Sequence, residues 1–457
     1  MAKARELRLN TFQMAAPSHN WAGLWRHPRD TQAAYNTLAY WTDLARTAER
    51  GLIDGIFIAD VFGLYDVFAG SGDAALSAGA QAPNADPTIP ISAMAYVTQH
   101  IGFGVTANLT YEHPFQFARR FSTLDHMTGG RIGWNIVTGY LDSGARGMGL
   151  DVARDHDERY DAAEDFMTAI YKLWEGSWED GAVVRDRASG IFTHPEKVHR
   201  IVHDGPYYKV DGRALAEPSP QRTPVLYQAG TSARGRTFAG RHAEAVFLNG
   251  QTIPIAAKAV SALRDAAVAA GRAPRDILAF LGATVIVART SSEARDLKEE
   301  YRRWIDTAGQ LALVSGWTGV DLSGLGPDDV LEFQRSNAIR STLENLTIKA
   351  QTLPKVRDLA DFTPSGARAP IFVGTPSEVA DDMLAWAEGA DIDGFNLVRT
   401  VMPESLDAIV DLLIPELQSR GAFKTAYEEG PLRQKLFPGN GSRLPPRHPA
   451  AEFRPIR

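Results

Sequence analysis

The chain of 457 residues contains no cysteine. That absence excludes disulfide scaffolds, thiolate zinc sites, cysteine-ligated iron–sulfur clusters and cysteine nucleophiles together. Basic charge is not in excess: 48 Lys+Arg stand against 55 Asp+Glu, a formal net charge of −7. No arginine-rich block stands out, so no nucleic-acid partner is expected. No run of about 18 apolar residues occurs, so no membrane-spanning helix is expected. The N-terminal stretch lacks the apolar core of a secretory signal, and the expectation is a soluble cytoplasmic protein. The sequence has no HxH, no HExxH, no GxSxG elbow and no P-loop. His199 and His203 are four apart but lie outside helical periodicity, and no metal site is expected. Asn10–Asn20 contains no glycine, so the dinucleotide fingerprint after a first strand is missing.

What is present is alternation. Short apolar runs alternate with stretches of helical spacing over most of the chain. Strands are predicted at Glu6–Phe12, Asp54–Ala59, Ile101–Leu109, Arg131–Thr138, Pro224–Ala229, Ala245–Leu248, Ile277–Val287 and Gly394–Arg399. Helices fall between them, for example Thr31–Arg50, Pro114–Met127, Asp155–Trp174, Ser232–Arg241 and Thr375–Ala387. Strands that are apolar throughout argue for a parallel sheet covered by helices. Eight such units make a (β/α)₈ TIM barrel; a doubly wound sheet is the competing architecture.

The organisation read here is one barrel domain over 1–436 and a Pro/Arg-rich tail over 437–457. Two stretches, about 175–221 and 307–374, exceed a minimal barrel. The first holds hairpin-like segments; the second is polar and helical in parts. Both are expected to be insertions in βα loops, where barrel enzymes build substrate pockets. The tail reads as a disordered end or as an arm over a partner subunit.

Three groups of residues carry candidate chemistry. The stretch Gln228–Gly240 leaves a strand, turns at Gly230 and opens a helix with Ser232 near its N-cap. Such a junction aims free N–H groups, a hydroxyl and the helix dipole at one spot. Its occupant is an anion such as phosphate, unless the junction is only an ordinary capped helix. His156 and Tyr160, four apart at a helix start, share one face and can both donate hydrogen bonds. Asp60, Thr106, Asn108 and Asn135 stand at or near the ends of successive strands, where a barrel mouth keeps its polar groups. Phe12, Phe62, Trp134 and Phe247 are the aromatic groups near those ends, Trp134 being the one best read as core.

Several longer stretches carry a resemblance. They are FIAD (57–60), FSTLDHMTGGRIGWNIVT (121–138), DHDERYDAAEDF (155–166), LWEGSWEDGAVV (173–184), PSPQRTPVLYQAGTSARGRTFAGRHAEAVF (218–247) and TPSEVADDM (375–383). With them the chain resembles the flavin-dependent monooxygenases of the bacterial-luciferase-like superfamily. Within these it looks like the group of nitrilotriacetate monooxygenase component A, pristinamycin synthase and dibenzothiophene-sulfone monooxygenase. The resemblance implies a barrel with insertions and FMN used as FMNH₂, supplied by a separate NAD(P)H:flavin reductase. It implies O₂ as co-substrate and a flavin C4a-hydroperoxide or peroxide that oxidises a small organic substrate, with C–N or C–S cleavage. It places the flavin on Asp60, Thr106, His156, Tyr160 and Ser232, with Asn135 and Gly230 nearby, and implies a homo-dimer or tetramer. Where sulfone-oxidising members carry a serine after the fourth strand, this chain has Gly139. The catalytic candidate is His19, in the loop after the first strand, as a group that positions substrate or handles a proton. The competing functions are a deazaflavin-dependent dehydrogenase of the same superfamily and a non-catalytic flavin-binding protein.

Overall fold

The computed structural model describes residues 6–230, 232–332, 338–348 and 353–455. Eight parallel strands form its centre: β1 (Arg8–Met14), β2 (Gly55–Ala59), β3 (Gly102–Asn108), β4 (Ile132–Val137), β5 (Val225–Gln228), β6 (Ala245–Leu248), β7 (Leu278–Val287) and β8 (Gly394–Val398). Each pairs with the next, and β8 returns to β1 through Arg8↔Gly394 to Phe12↔Val398. The sheet is therefore a closed (β/α)₈ barrel, as expected from the sequence.

Glycines decide how the barrel is filled. Phe12, Phe57, Tyr227, Phe247 and Phe280 pack together inside it with Leu432 and Leu436. Five large side chains fit because β3 and β4 contribute none at that level. A Cβ on Gly104 would lie 2.7 Å from the Phe57 ring, and one on Gly133 would run into Tyr227. The short helix Leu432–Leu436 closes the N-terminal end of the barrel, with Leu432 against Gly102. Thr106 and Asn135 stand opposite each other in the β3–β4 register, one step above the glycines. Trp134 points the other way. It is fully buried and meets Phe117, Phe121, Phe166 and Trp174 under the helices, so it is core between barrel and helices.

One expectation about the extra segments changes. The 175–221 stretch folds as two hairpins, Val183–Asp186 with Ile191–Thr193 and Ile201–Asp204 with Lys209–Gly212. It follows helix His156–Tyr171 and precedes β5, so it is an αβ connection rather than a βα loop. Hairpin periodicity is local, whereas the rim a hairpin lands on depends on which element precedes it. Asp165 on that helix anchors the segment, accepting from the Tyr207 and Tyr208 amides (2.9 and 2.8 Å) and from His203 Nε2 (2.9 Å). The 307–374 stretch lies between β7 and helix Pro376–Ala390, which leads into β8, so it occupies a βα connection, after the additional helix Ser291–Arg302. It ends in an unforeseen strand, Ile371–Gly374, which pairs with the last four residues of β7.

The tail is also corrected. Its described part is ordered and folds over its own barrel. Leu444, His448 and Ala450 are buried. His448 Nε2 donates to the His242 carbonyl (2.9 Å), Arg447 pairs with Asp276, and Arg454 pairs with Glu175 (2.7 Å). These side chains find apolar and ionic partners within the chain. Among the described residues no helix is long and apolar enough to cross a membrane.

Candidate active site

A cleft opens at the C-terminal ends of β2 to β5. Asp60, His156, Tyr160, Gly230 and Ser232 all line it, with Phe62, Asn108, Arg159, Gln228 and Tyr140. A second cleft shares Asp60, Phe62 and Asn108 with the first and adds Thr106, Asn84, Asp86 and Tyr111.

The anion corner is built by one helix start. Ser232 caps helix Ala233–His242, its Oγ accepting from the Gly235 amide at 3.1 Å. His156, at the start of helix His156–Tyr171, lies 3.2 Å from the same Oγ through Nε2. His156 Nδ1 donates to Asp157 at 2.6 Å, so in the neutral ring Nε2 accepts from the Ser232 hydroxyl. Burial pushes the Tyr160 phenol up, against the lowering effect of its contacts with Ser232 and Gln228. It therefore stays a protonated donor at ordinary pH. Gly230 has no room for a side chain: a Cβ there would press on the Tyr160 hydroxyl and the Gln228 amide. Arg234, in the first turn of that helix, turns to Asp161 at 2.5 Å.

The inner wall is polar and incompletely paired. Asn135 Nδ2 donates to Thr106 Oγ1 at 2.9 Å. Asn108 Oδ1 accepts from the Thr110 amide at 2.9 Å. Asn135 Oδ1, Asn108 Nδ2 and Gln228 Oε1 are buried with no protein partner among the described residues. Buried polar atoms are normally satisfied, so the two that belong to cleft-lining residues, Asn108 Nδ2 and Gln228 Oε1, mark a wall shaped for a polar ligand, whereas Asn135 lines neither cleft. Asp60 Oδ1 accepts from Asn84 Nδ2 at 2.6 Å. Burial raises its carboxyl to about 6, with Asp86 adding to the rise.

His19 stands apart from this group and lines neither cleft. It is buried, edge-on to Phe12 with ring centroids 4.2 Å apart. Burial, then Arg399 and Arg368, hold its pKa well below the usual value, so the imidazole is neutral. Gln228, Tyr140 and Phe238 were not singled out from sequence. For Gln228 the signal was available: a polar residue closing an apolar strand, as Asp60 does. Tyr140 is placed by a tertiary contact, its hydroxyl 3.0 Å from that of Tyr65. Among the described residues no group of three or more His, Asp or Glu side chains could hold a metal ion.

The family model described as luciferase-like monooxygenase matches residues 12–391. The chain belongs to this family. It is similar to dimethyl-sulfide monooxygenase of Hyphomicrobium sulfonivorans, at 46% identity over 98% of this chain and 94% of the relative. It is similar to nitrilotriacetate monooxygenase component A of Aminobacter aminovorans, at 35% identity over 91% and 93%. Among solved structures it is similar to a riboflavin lyase crystallised with modified FMN and riboflavin, with a TM-score of 0.92 and 36% identity over 99% of this chain and 100% of that one. As a luciferase-like monooxygenase the chain is an oxidoreductase, and the dehydrogenase alternative is not favoured. Three chemically unlike molecules appear in those three names, so membership in the luciferase-like family leaves the substrate open.

Proposed function

We propose that this chain is the oxygenase component of a two-component monooxygenase. It binds reduced FMN delivered by a separate NAD(P)H:flavin reductase and uses O₂ to oxidise a small organic substrate, with C–N or C–S cleavage. The observation that carries the reading is the convergence of Ser232, His156 and Tyr160 on a helix N-terminus beside a cleft walled by unsatisfied polar atoms.

The donor set fits a flavin phosphate at the corner and a ring system along the wall. Ser232, His156, Tyr160 and the backbone at Gly230 would hold the phosphate. Asp60, Thr106, Asn108, Asn135 and Gln228 would face the polar edge of the ring. Bound there, reduced FMN supplies the activated oxygen that reaches the substrate. The chain's own contribution is to orient both partners and keep water out, for which Phe62 and Phe238 provide apolar cover. His19, being neutral and buried, serves as a fixed wall group under Phe12 rather than as an acid. The proposal includes a homo-dimer or tetramer, a cytoplasmic location and the 1–436 domain with its tail.

The test is electron supply. Pure chain mixed with FMN, NADH and O₂ should consume NADH negligibly, because no dinucleotide fingerprint is present. Adding a separate reductase should start substrate oxidation. Rapid NADH loss without a reductase would overturn the two-component reading.

A further inference from the structure

Three side chains converge on one phenol oxygen next to the cleft. Tyr65 Oη donates to Gln81 Oε1 at 2.9 Å, accepts from Trp317 Nε1 at 3.1 Å and lies 3.0 Å from Tyr140 Oη. Tyr65, Gln81 and Trp317 are buried, and Tyr140 lines the cleft. The Gln81 amide cannot be turned round. Its Nε2 donates to the His19 carbonyl at 3.0 Å, and the reversed amide would set oxygen against oxygen there. Burial raises the pKa of both phenols, that of Tyr140 well above its usual value, so neither is ionised at ordinary pH.

The direction of these bonds follows from their protons. A phenol has a single proton and accepts through its oxygen. Gln81 Oε1 can only accept, so it takes the Tyr65 proton; Trp317 Nε1 can only donate, so it gives one. Tyr65 has no proton left for Tyr140, and the proton between the two hydroxyls is the one that Tyr140 supplies. What Tyr140 presents to the cleft is therefore an oxygen that accepts and cannot donate. Its surroundings make that polarity matter. Val61, Leu141 and Ile339 also line the cleft, and with Tyr140 they belong to the apolar cluster around Tyr65 and Trp317. Gly139, the preceding residue, brings no side chain.

We propose that the Tyr140 oxygen selects a substrate that presents a hydrogen-bond donor, a hydroxyl or an N–H, and disfavours one whose polar atoms only accept, such as an ether, sulfoxide or sulfone. The claim rests on the monooxygenase reading above and narrows its substrate class. A donor meeting that oxygen gains a bond, whereas an acceptor sets two oxygens face to face and leaves both unpaired away from water. Tyr65, which does not line the cleft, acts through Tyr140 as a positioning residue: it takes up the one proton with which Tyr140 could serve an acceptor.

The test is binding of two isomers, hexanol and methyl pentyl ether, of which only the first can donate. The whole chain is titrated calorimetrically with each, with and without saturating FMN. Wild type should bind the alcohol about fivefold more tightly than the ether, the scale of one neutral hydrogen bond. Tyr140→Phe should bind the two alike, with its FMN affinity unchanged. Tyr65→Phe frees the Tyr140 proton, so the ether should gain about fivefold while the alcohol keeps its affinity, a gain that a packing role alone would not produce. Gln81→Met, which leaves the Tyr65 proton to turn toward Tyr140, serves if that variant does not fold. A wild type that binds the alcohol no better than the ether, or not at all, overturns the proposal. So does a Tyr140→Phe protein that keeps the preference, or a freed Tyr140 that leaves the ether as weak as before. Loss of FMN affinity in Tyr140→Phe assigns the acceptor to the flavin and overturns it too. A wild type that binds FMN in neither redox state, with the alcohol preference intact, counts against the monooxygenase reading alone.

Discussion

Ser232 caps its helix with its side-chain oxygen and also lines the cleft, so a single substitution separates two costs. Ser232→Ala should weaken reduced-FMN binding by about 1–2 kcal/mol, the scale of one charge-assisted hydrogen bond. It should also lower stability by about 1 kcal/mol through loss of the cap. Anaerobic flavin titration and urea unfolding read the two separately. Asp60 gives a prediction in pH. Its folded-state pKa is raised to about 6 by burial, so between the unfolded value near 3.8 and that point the native state binds more protons than the unfolded chain. The contribution of this carboxyl to stability therefore falls as pH rises through that window and is level above it. Asp60→Asn should remove the fall while still accepting from Asn84. Unfolding curves at both ends of the window should diverge between the two proteins, with the variant relatively more stable at the higher pH. Gly139 illustrates how tightly a single position is held. It has φ 65°, and a Cβ there would lie 2.5 Å from Asn108 Nδ2, so the serine of sulfone-oxidising relatives would need the Asn108 side chain to move.

At the level of elements, the barrel strands were legible because strands buried on both faces read as unbroken apolar runs, and the glycines and polar residues closing them mark their ends. Helix Pro114–Met127 and strand Ala245–Leu248 have the bounds their sequence predicts. The phosphate-type corner was legible for the same reason: strand, glycine, N-cap and helix are consecutive. Strand Ile371–Gly374 was not, since its only partner is the far half of β7, roughly 90 residues earlier, and non-local pairing leaves no periodic trace. The helical stretch Glu404–Ser419 is interrupted by the π-turn Ile409–Leu413 ahead of Pro415. Proline cannot donate into the helix ladder, which accounts for the break. The glycine steps of β3 and β4 carry their own prediction. Gly133→Ala should destabilise by about 1–3 kcal/mol, the usual cost of overfilling a packed core, because the methyl meets the Tyr227 ring. Thermal unfolding checks it, and Gly133→Ala combined with Tyr227→Leu should recover part of the loss.

For the whole molecule, the tail acts as a strap. Glu175 is fully buried and is held by Thr223 (2.7 Å), Arg443 (3.3 Å) and Arg454 (2.7 Å), the last two from the tail. Removing residues 442–457 leaves a buried carboxylate without its cations, a defect of about 3–5 kcal/mol. The truncated chain should melt at a lower temperature than the full one in a calorimetric scan, and Glu175→Gln should restore part of the difference.

The barrel closes only where β1 meets β8. On a ribosome these two strands are made at opposite ends of the process. At about 5–20 residues per second, β1 is finished roughly 20–80 s before its partner is synthesised, and the leucine plug from Leu432–Leu436 comes later still. Throughout that interval an apolar strand edge lies open to any neighbouring nascent chain. Stalled or prematurely ended chains should therefore be insoluble unless a chaperone shields them, and pelleting assays on chains ended before residue 390 would measure this. The same seam that seals the finished enzyme makes its birth the most exposed moment of its existence.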